Sequence, residues 1–407
     1  LKEKFVDGIL TGLINLNLMQ GYIAAILFAL PFNLFGHSAD STELLISDMN
    51  VQIESTEAMD AMYNFDFDKA ARQYRWLQQK YPHSPLPYFL LGLNEWWKML
   101  PNENNTSYDE AFHHYMDTTI MIAKPMLKKE ETRIEGAFFL AATYGFKGRL
   151  YADRRSWGKA ASAGKNALKY LEISKKESNL SPELMFGDAL YNYFSVWIPE
   201  NYPLLKPLFI FFKKGDKKLG LQQLEEVSNN AFYTRIEARI FLMRILSEEE
   251  NNYRKALQIA RYLHEHYPHN PYFHRYYVRY LYSLHLFRTM EPEAHSILQR
   301  IDSGYVGYEA SSGRYAAFFL GQMYQSRGKL DEAQQYYEKV IDYARVIDAM
   351  KSGYTLYALL NLGKIARENG YPSEARRYFK QVKKLASRKH PAYKEAKVNL
   401  KRKKKNK

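Results

Sequence analysis

The sequence predicts an all-α chain of stacked, antiparallel helix pairs, and three observations predict it. Two stretches share one plan, "KAARQYRWLQQKYPHSPLPYF" (Lys69 to Phe89) and "KALQIARYLHEHYPHNPYFHR" (Lys255 to Arg275). Each opens on Lys-Ala, holds a leucine at the same place (Leu77, Leu263) and closes on Tyr-Pro-His-[Ser/Asn]-Pro. "TRIEGAFFL" (Thr132 to Leu140) returns as "TRIEARIFL" (Thr234 to Leu242), 102 residues on, which is three periods of 34. No sustained alternation of apolar and polar β-branched residues competes as a strand signal. At 407 residues, 46% hydrophobic and 25% charged, the chain is globular in composition but too long for one compact core. It is either several domains or an elongated array, and the recurrences select the array.

Residues 1–39 read as a secretory signal. Lys2 and Lys4, offset by Glu3 and Asp7, precede the 14-residue apolar run "YIAAILFALPFNLF" (Tyr22 to Phe35), broken only by Pro31 and Asn33. Ser38 and Ala39 supply a small-residue exit, so cleavage is expected between Ala39 and Asp40. The run is short of the roughly 20 residues a membrane span needs; an uncleaved anchor or a buried helix are the alternatives. Residues 40–54 form an acidic linker.

The repeat domain is expected over 55–397. Its first unit places Gly92 in "YFLLGLNEWW" and Ala111 in "YDEAFHHY". A degenerate unit follows with Ala160, and another with Gly187 and Gly220, the last two separated by an apolar insertion at about 197–218. Ala256 belongs to the second Lys-Ala stretch. The plan is clearest in "FFLGQMYQSRGKLDEAQQYYEKV", with Gly321 and Ala333, and in "LLNLGKIARENGYPSEARRYFKQV", with Gly363 and Ala375. Small residues let two helices approach, while Leu, Tyr and Phe fill the space between pairs. Gly328 and Gly370 suit the left-handed residue that ends a helix. "LDEA" and "PSEA" start the next helix, and each Tyr-Pro boundary closes one because Pro bars its predecessor from helical geometry.

These motifs resemble the tetratricopeptide repeat family over most of residues 55–390. The resemblance implies a right-handed α-solenoid whose concave face holds a protein partner, without chemistry. The Gly321-to-Gly363 step is 42 rather than 34, so an irregular array is expected. Leu190 to Glu226 is also similar to a segment of divergent proteins of the TTC thirty-nine type, which implies no function here.

Nothing in the sequence carries catalysis or a cofactor. There is no cysteine, which excludes disulfides and thiolate sites. No Gly-rich phosphate loop, nucleophile elbow or HExxH spacing occurs. His264 and His266 point about 200° apart on one helix, so no metal ligand set is expected from them. The aromatic residues, 34 Tyr, 23 Phe and 5 Trp, are chiefly repeat packing, with a remainder available to a groove. "HRYYVRYLYSLHLFR" (His274 to Arg288) sets Arg275, Arg279 and Arg288 among tyrosines and suits such a surface. Within the insertion, Leu204, Leu205, Phe209, Phe211 and Phe212 beside Lys213 and Lys214 form either a partner or membrane contact or a plug folded against the array.

The net charge of +14 is local. Arg376 to Lys407 hold fifteen basic residues and one acid, Glu395, so the preceding 375 residues sum to zero. Lys401, Arg402, Lys403, Lys404 and Lys405 would tether the tail, residues 398–407, to an anionic surface. The sequence thus describes a non-enzymatic, exported scaffold of the bacterial periplasm, peripheral to a membrane and holding a protein. The rival is a cytoplasmic protein whose basic end contacts nucleic acid, the disfavoured partner if the signal is genuine.

Overall fold

The computed structural model describes residues 45–174, 181–201 and 214–401. The signal segment with Ala39 and Asp40, the insertion residues Leu204, Leu205, Phe209, Phe211, Phe212 and Lys213, and tail residues Arg402 to Lys405 lie outside them. Lys214 and Lys401 are described and exposed.

Seventeen α-helices and no strand occur among the described residues. They are α1 (Met49–Tyr63), α2 (Phe67–Lys80), α3 (Leu86–Met99), α4 (Asp109–Met126), α5 (Glu130–Asp153), α6 (Trp157–Ser174), α7 (Pro182–Asn201), α8 (Lys217–Asn230) and α9 (Arg235–Glu248). There follow α10 (Tyr253–His266), α11 (Pro271–Ser283), α12 (Phe287–Asp302), α13 (Ala310–Ser326), α14 (Leu330–Val346), α15 (Gly353–Glu368), α16 (Pro372–Leu385) and α17 (Pro391–Lys401). None is long and apolar enough to cross a membrane. The chain divides into two compact units: the first holds residues 45–99 and 105–252, the second residues 100–104 and 253–401.

Within each unit, helices consecutive in the chain pack on one another as pairs, α1 on α2, α5 on α6, α7 on α8, α13 on α14 and α15 on α16. In the second unit, α11, α13 and α15 also touch in succession, so the leading helices of three pairs form one row. The turn inside a pair is a fixed device. The second residue past the first helix adopts a left-handed backbone at Phe65 (φ 67°), Arg155 (57°), His285 (56°), Gly328 (74°) and Gly370 (81°).

The recurring Tyr-Pro-His-[Ser/Asn]-Pro is a helix-to-helix joint. Its fourth residue caps the next helix: Asn270 Oδ1 accepts the backbone N–H groups of Tyr272 and Phe273 at 3.0 and 3.1 Å, with Pro271 opening α11. Ser84 Oγ accepts from Leu86 N at 3.2 Å in the earlier copy. The cap supplies acceptors that a helix start lacks, and Pro needs no donor there.

A longer-range cap ties α7 to α9. The buried Glu183 carboxylate accepts the N–H of Phe232, those of Tyr233 and Thr234 (both 3.0 Å) and the Thr234 hydroxyl (2.7 Å). Burial raises its pKa and these four bonds oppose the rise.

Candidate functional site

The small residues singled out above sit where helices meet. A Cβ on Gly92 would lie 2.7 Å from Met116, on Gly187 2.2 Å from Leu171, on Gly220 2.7 Å from the Tyr193 backbone, on Gly321 2.8 Å from the Tyr337 ring, and on Gly363 2.6 Å from Phe379. Ala160, Ala256, Ala333 and Ala375 are buried, and Ala111 is half-buried. These positions set the spacing of the helices and leave the recognition surfaces to other side chains.

In the first unit a cavity of about 180 Å³ opens among α5, α6, α7 and Phe241 of α9. Its walls are Phe138, Phe146, Leu171, Leu190, Phe194 and Phe241; Arg149, Ser174 and Tyr191 are its polar side chains. Phe241 meets Phe186 and Phe194 edge-on, with ring centroids 5.8 and 6.5 Å apart. The Arg149 guanidinium lies 4.7 Å from the Trp96 ring, a placement that keeps a charge at the edge of an apolar wall. Gly145 also lines the trough, and a Cβ there would meet nothing within 4 Å. An apolar void of about 150 Å³ suffices for a benzene ring, and this one is of comparable size.

In the second unit the row of leading helices carries arginines among tyrosines. Arg275 on α11 lies 5.3 Å from the Tyr272 ring and 5.6 Å from Tyr315, while Arg279, one turn on, lies 5.8 Å from Tyr276. Arg314 on α13 lies 5.3 Å from Tyr315 and donates to Ser352 Oγ; Tyr354 on α15 packs on Tyr315 and Phe318, centroids 4.8 and 4.7 Å away. Arg314 is only 8% exposed, its Nε finds no acceptor, and no described carboxylate pairs with it. Burial lowers its pKa. The tyrosines do not supply the missing anion, because burial pushes the Tyr354 phenol up to about 12. A buried, unpaired guanidinium is costly unless an acid reaches it.

A profile of the tetratricopeptide repeat matches residues 314–388, which span α13 to α16 with the Gly321–Tyr337 and Gly363–Phe379 contacts. Residues 314–388 carry tetratricopeptide repeats. The crystal structure of yeast Tom70 aligns over 87% of this chain and 81% of its own, at 11% identity and a TM-score of 0.32. That of the P58(IPK) tetratricopeptide domain aligns over 88% and 100%, at 11% identity and 0.25. Scores this low support no inference of shape or partner. No curated protein matches.

Two of the three arginines read from the sequence, Arg275 and Arg279, lie on α11. Arg288 does not join them; it is exposed on α12. Arg314 escapes a sequence reading because it stands 35 residues beyond Arg279, in the next repeat, with no charged pattern around it. The trough escapes for a related reason: its walls come from four helices, and aromatics lining a void have the same spacing as aromatics filling a core.

Proposed function

We propose that the chain is a protein-binding scaffold, and that the trough of the first unit takes the apolar face of an amphipathic helix from its partner. The observation that carries this reading is the trough itself, walled by rings and bare at Gly145. Helix-in-groove recognition needs a concave apolar surface with few polar groups at its edge. In the second unit, taken by itself, Arg314 supports the scaffold reading, since an acidic side chain of a bound protein would supply its missing counter-charge. An exported setting, peripheral to a membrane of a Gram-negative periplasm, belongs to the same proposal. It rests on the apolar stretch before Ala39 and on the C-terminal charge, and native protein recovered from the cytoplasm with its sequence before Asp40 intact would remove it.

Gly145→Leu tests the binding surface. A Cβ at this position meets nothing within 4 Å and the substitution improves helix propensity, so circular dichroism and thermal midpoint are expected to hold or rise. Proteins captured from membrane extracts by the unaltered chain should be lost, at least tenfold, with the variant. Equal capture by both chains, or saturable capture by neither, overturns the reading.

A further inference from the structure

We propose that His264, His274 and Glu293 form a binding site for a divalent transition metal of the zinc class. The three side chains come from three consecutive helices of the second unit, α10, α11 and α12. Their ligand atoms all lie within 4.8 Å of one another. Glu293 Oε2 is 3.0 Å from His274 Nε2 and 3.4 Å from His264 Nε2. Metal–ligand bonds of 2.0–2.2 Å in a tetrahedron place neighbouring ligand atoms about 3.3 Å apart, and the two observed separations bracket that value. Two imidazoles and one carboxylate suit zinc, nickel, copper or iron over calcium or magnesium, and three protein ligands leave one position for water.

The surroundings are those of a held ligand set. The His264 and His274 rings stack at 4.3 Å with an interplanar angle of 21°, so both present Nε2 to the same carboxylate. His274 is fully buried, whereas His264 and Glu293 are partly exposed and leave an approach for an ion. His274 Nδ1 meets the Tyr308 hydroxyl at 3.0 Å, and that oxygen accepts from Arg300 at 2.8 Å. Such an outer partner fixes a ligating imidazole. Burial, the largest influence on His274, keeps its ring neutral, and the two histidines hold the Glu293 carboxyl well below the usual carboxylate range. With Nε2 on the metal, the proton of the His274 ring sits on Nδ1, where the Tyr308 oxygen faces it.

Two observations set this apart from histidines that merely pack. His264 Nδ1 is buried and has no hydrogen-bond partner, so the fold gives that ring no polar anchor except Glu293. The joint is also built once without them: the earlier copy of the same stretch has Gln78 in place of His264 and Tyr88 in place of His274. Packing the joint therefore does not require imidazole. Sequence spacing conceals the set because it weighs His264 against His266 on one helix, while the partners lie on the next two.

The test is titration of the full chain, without a polyhistidine tag, with Zn²⁺ alone and with Co²⁺ followed by its visible d–d absorption. One equivalent should bind with a Kd of micromolar or tighter, and Zn²⁺ should raise the thermal midpoint. His264→Ala and Glu293→Gln, which remove a ligand at partly exposed positions, should each weaken binding at least tenfold and abolish the cobalt spectrum with circular dichroism unchanged. Tyr308→Phe should weaken it about tenfold while retaining the spectrum. Absence of saturable one-equivalent binding, or binding that His264→Ala and Glu293→Gln leave unaltered, overturns the proposal.

Discussion

Glu237 shows what a single buried carboxylate does to this fold. It sits in the second of the two Thr-Arg-Ile-Glu stretches, accepts the Trp97 indole N–H at 3.2 Å, and burial raises its pKa to about 7 against the pull of Arg149 and that bond. Between pH 4.5 and 7 the unfolded chain releases this proton while the folded chain keeps it, so stability falls as pH rises through that window and levels off above it. Glu237→Gln keeps an acceptor for Trp97 and removes the titration. Its stability relative to the parent should grow by at most about 3 kcal/mol between pH 4.5 and 7.5, read from urea midpoints at the two ends. A difference that does not vary with pH would refute the assignment. The repeated Thr-Arg-Ile-Glu makes this residue visible in the sequence as a period marker, since Glu135 occupies the same place and is equally buried. Its burial is invisible there, because the Trp97 partner lies 140 residues away.

At the level of helix pairs, the sequence discloses the turn only where glycine makes it cheap. Gly328 and Gly370 mark two left-handed turns, but Phe65, Arg155 and His285 adopt the same backbone with no glycine to announce it. The first-unit pairs look degenerate for that reason, although their geometry repeats. A non-glycine residue in this region costs about 1–2 kcal/mol, partly offset by the extra freedom glycine brings to the unfolded chain. Arg155 is exposed, and a Cβ on Gly328 would meet nothing within 4 Å, so substitution at either reads the backbone alone. Arg155→Gly should stabilise the protein by about 0.5 kcal/mol and Gly328→Ala should destabilise it by about 1 kcal/mol. Urea unfolding of the two variants checks the opposite signs; equal signs would mean the turn is not what separates them. Packing positions are the most legible part of these elements, because a glycine or alanine facing a ring is fixed by contact inside one pair. Surfaces that recognise something else are the least legible, since the trough and the His264–His274–Glu293 set each assemble from three or more helices.

Across the whole chain, the imbalance of charge is the feature that no helix explains. Residues 376–407 carry the entire +14, and five of those charges, Arg402, Lys403, Lys404, Lys405 and Lys407, lie in the last six positions. Apart from Arg388 and Lys389, which lie between the helices, the remaining basic side chains on α16 and α17 accompany a buried stripe of Ala375, Phe379, Val382, Ala392 and Ala396, as the polar faces of packed helices do. The last six residues contain no apolar side chain. Basic residues held near an anionic lipid surface contribute about 1 kcal/mol each, and at 0.15 M salt the interaction fades within about 8 Å. Vesicles with anionic headgroups should therefore sediment the full chain at low salt, neutral vesicles should not, and binding should weaken steeply as salt rises. Removing residues 402–407 leaves nine of the fourteen charges and should lower the affinity at least tenfold without altering the circular dichroism. If the shortened chain binds as tightly as the full one, the terminal lysines are a solvated end and the membrane-peripheral setting loses its physical basis.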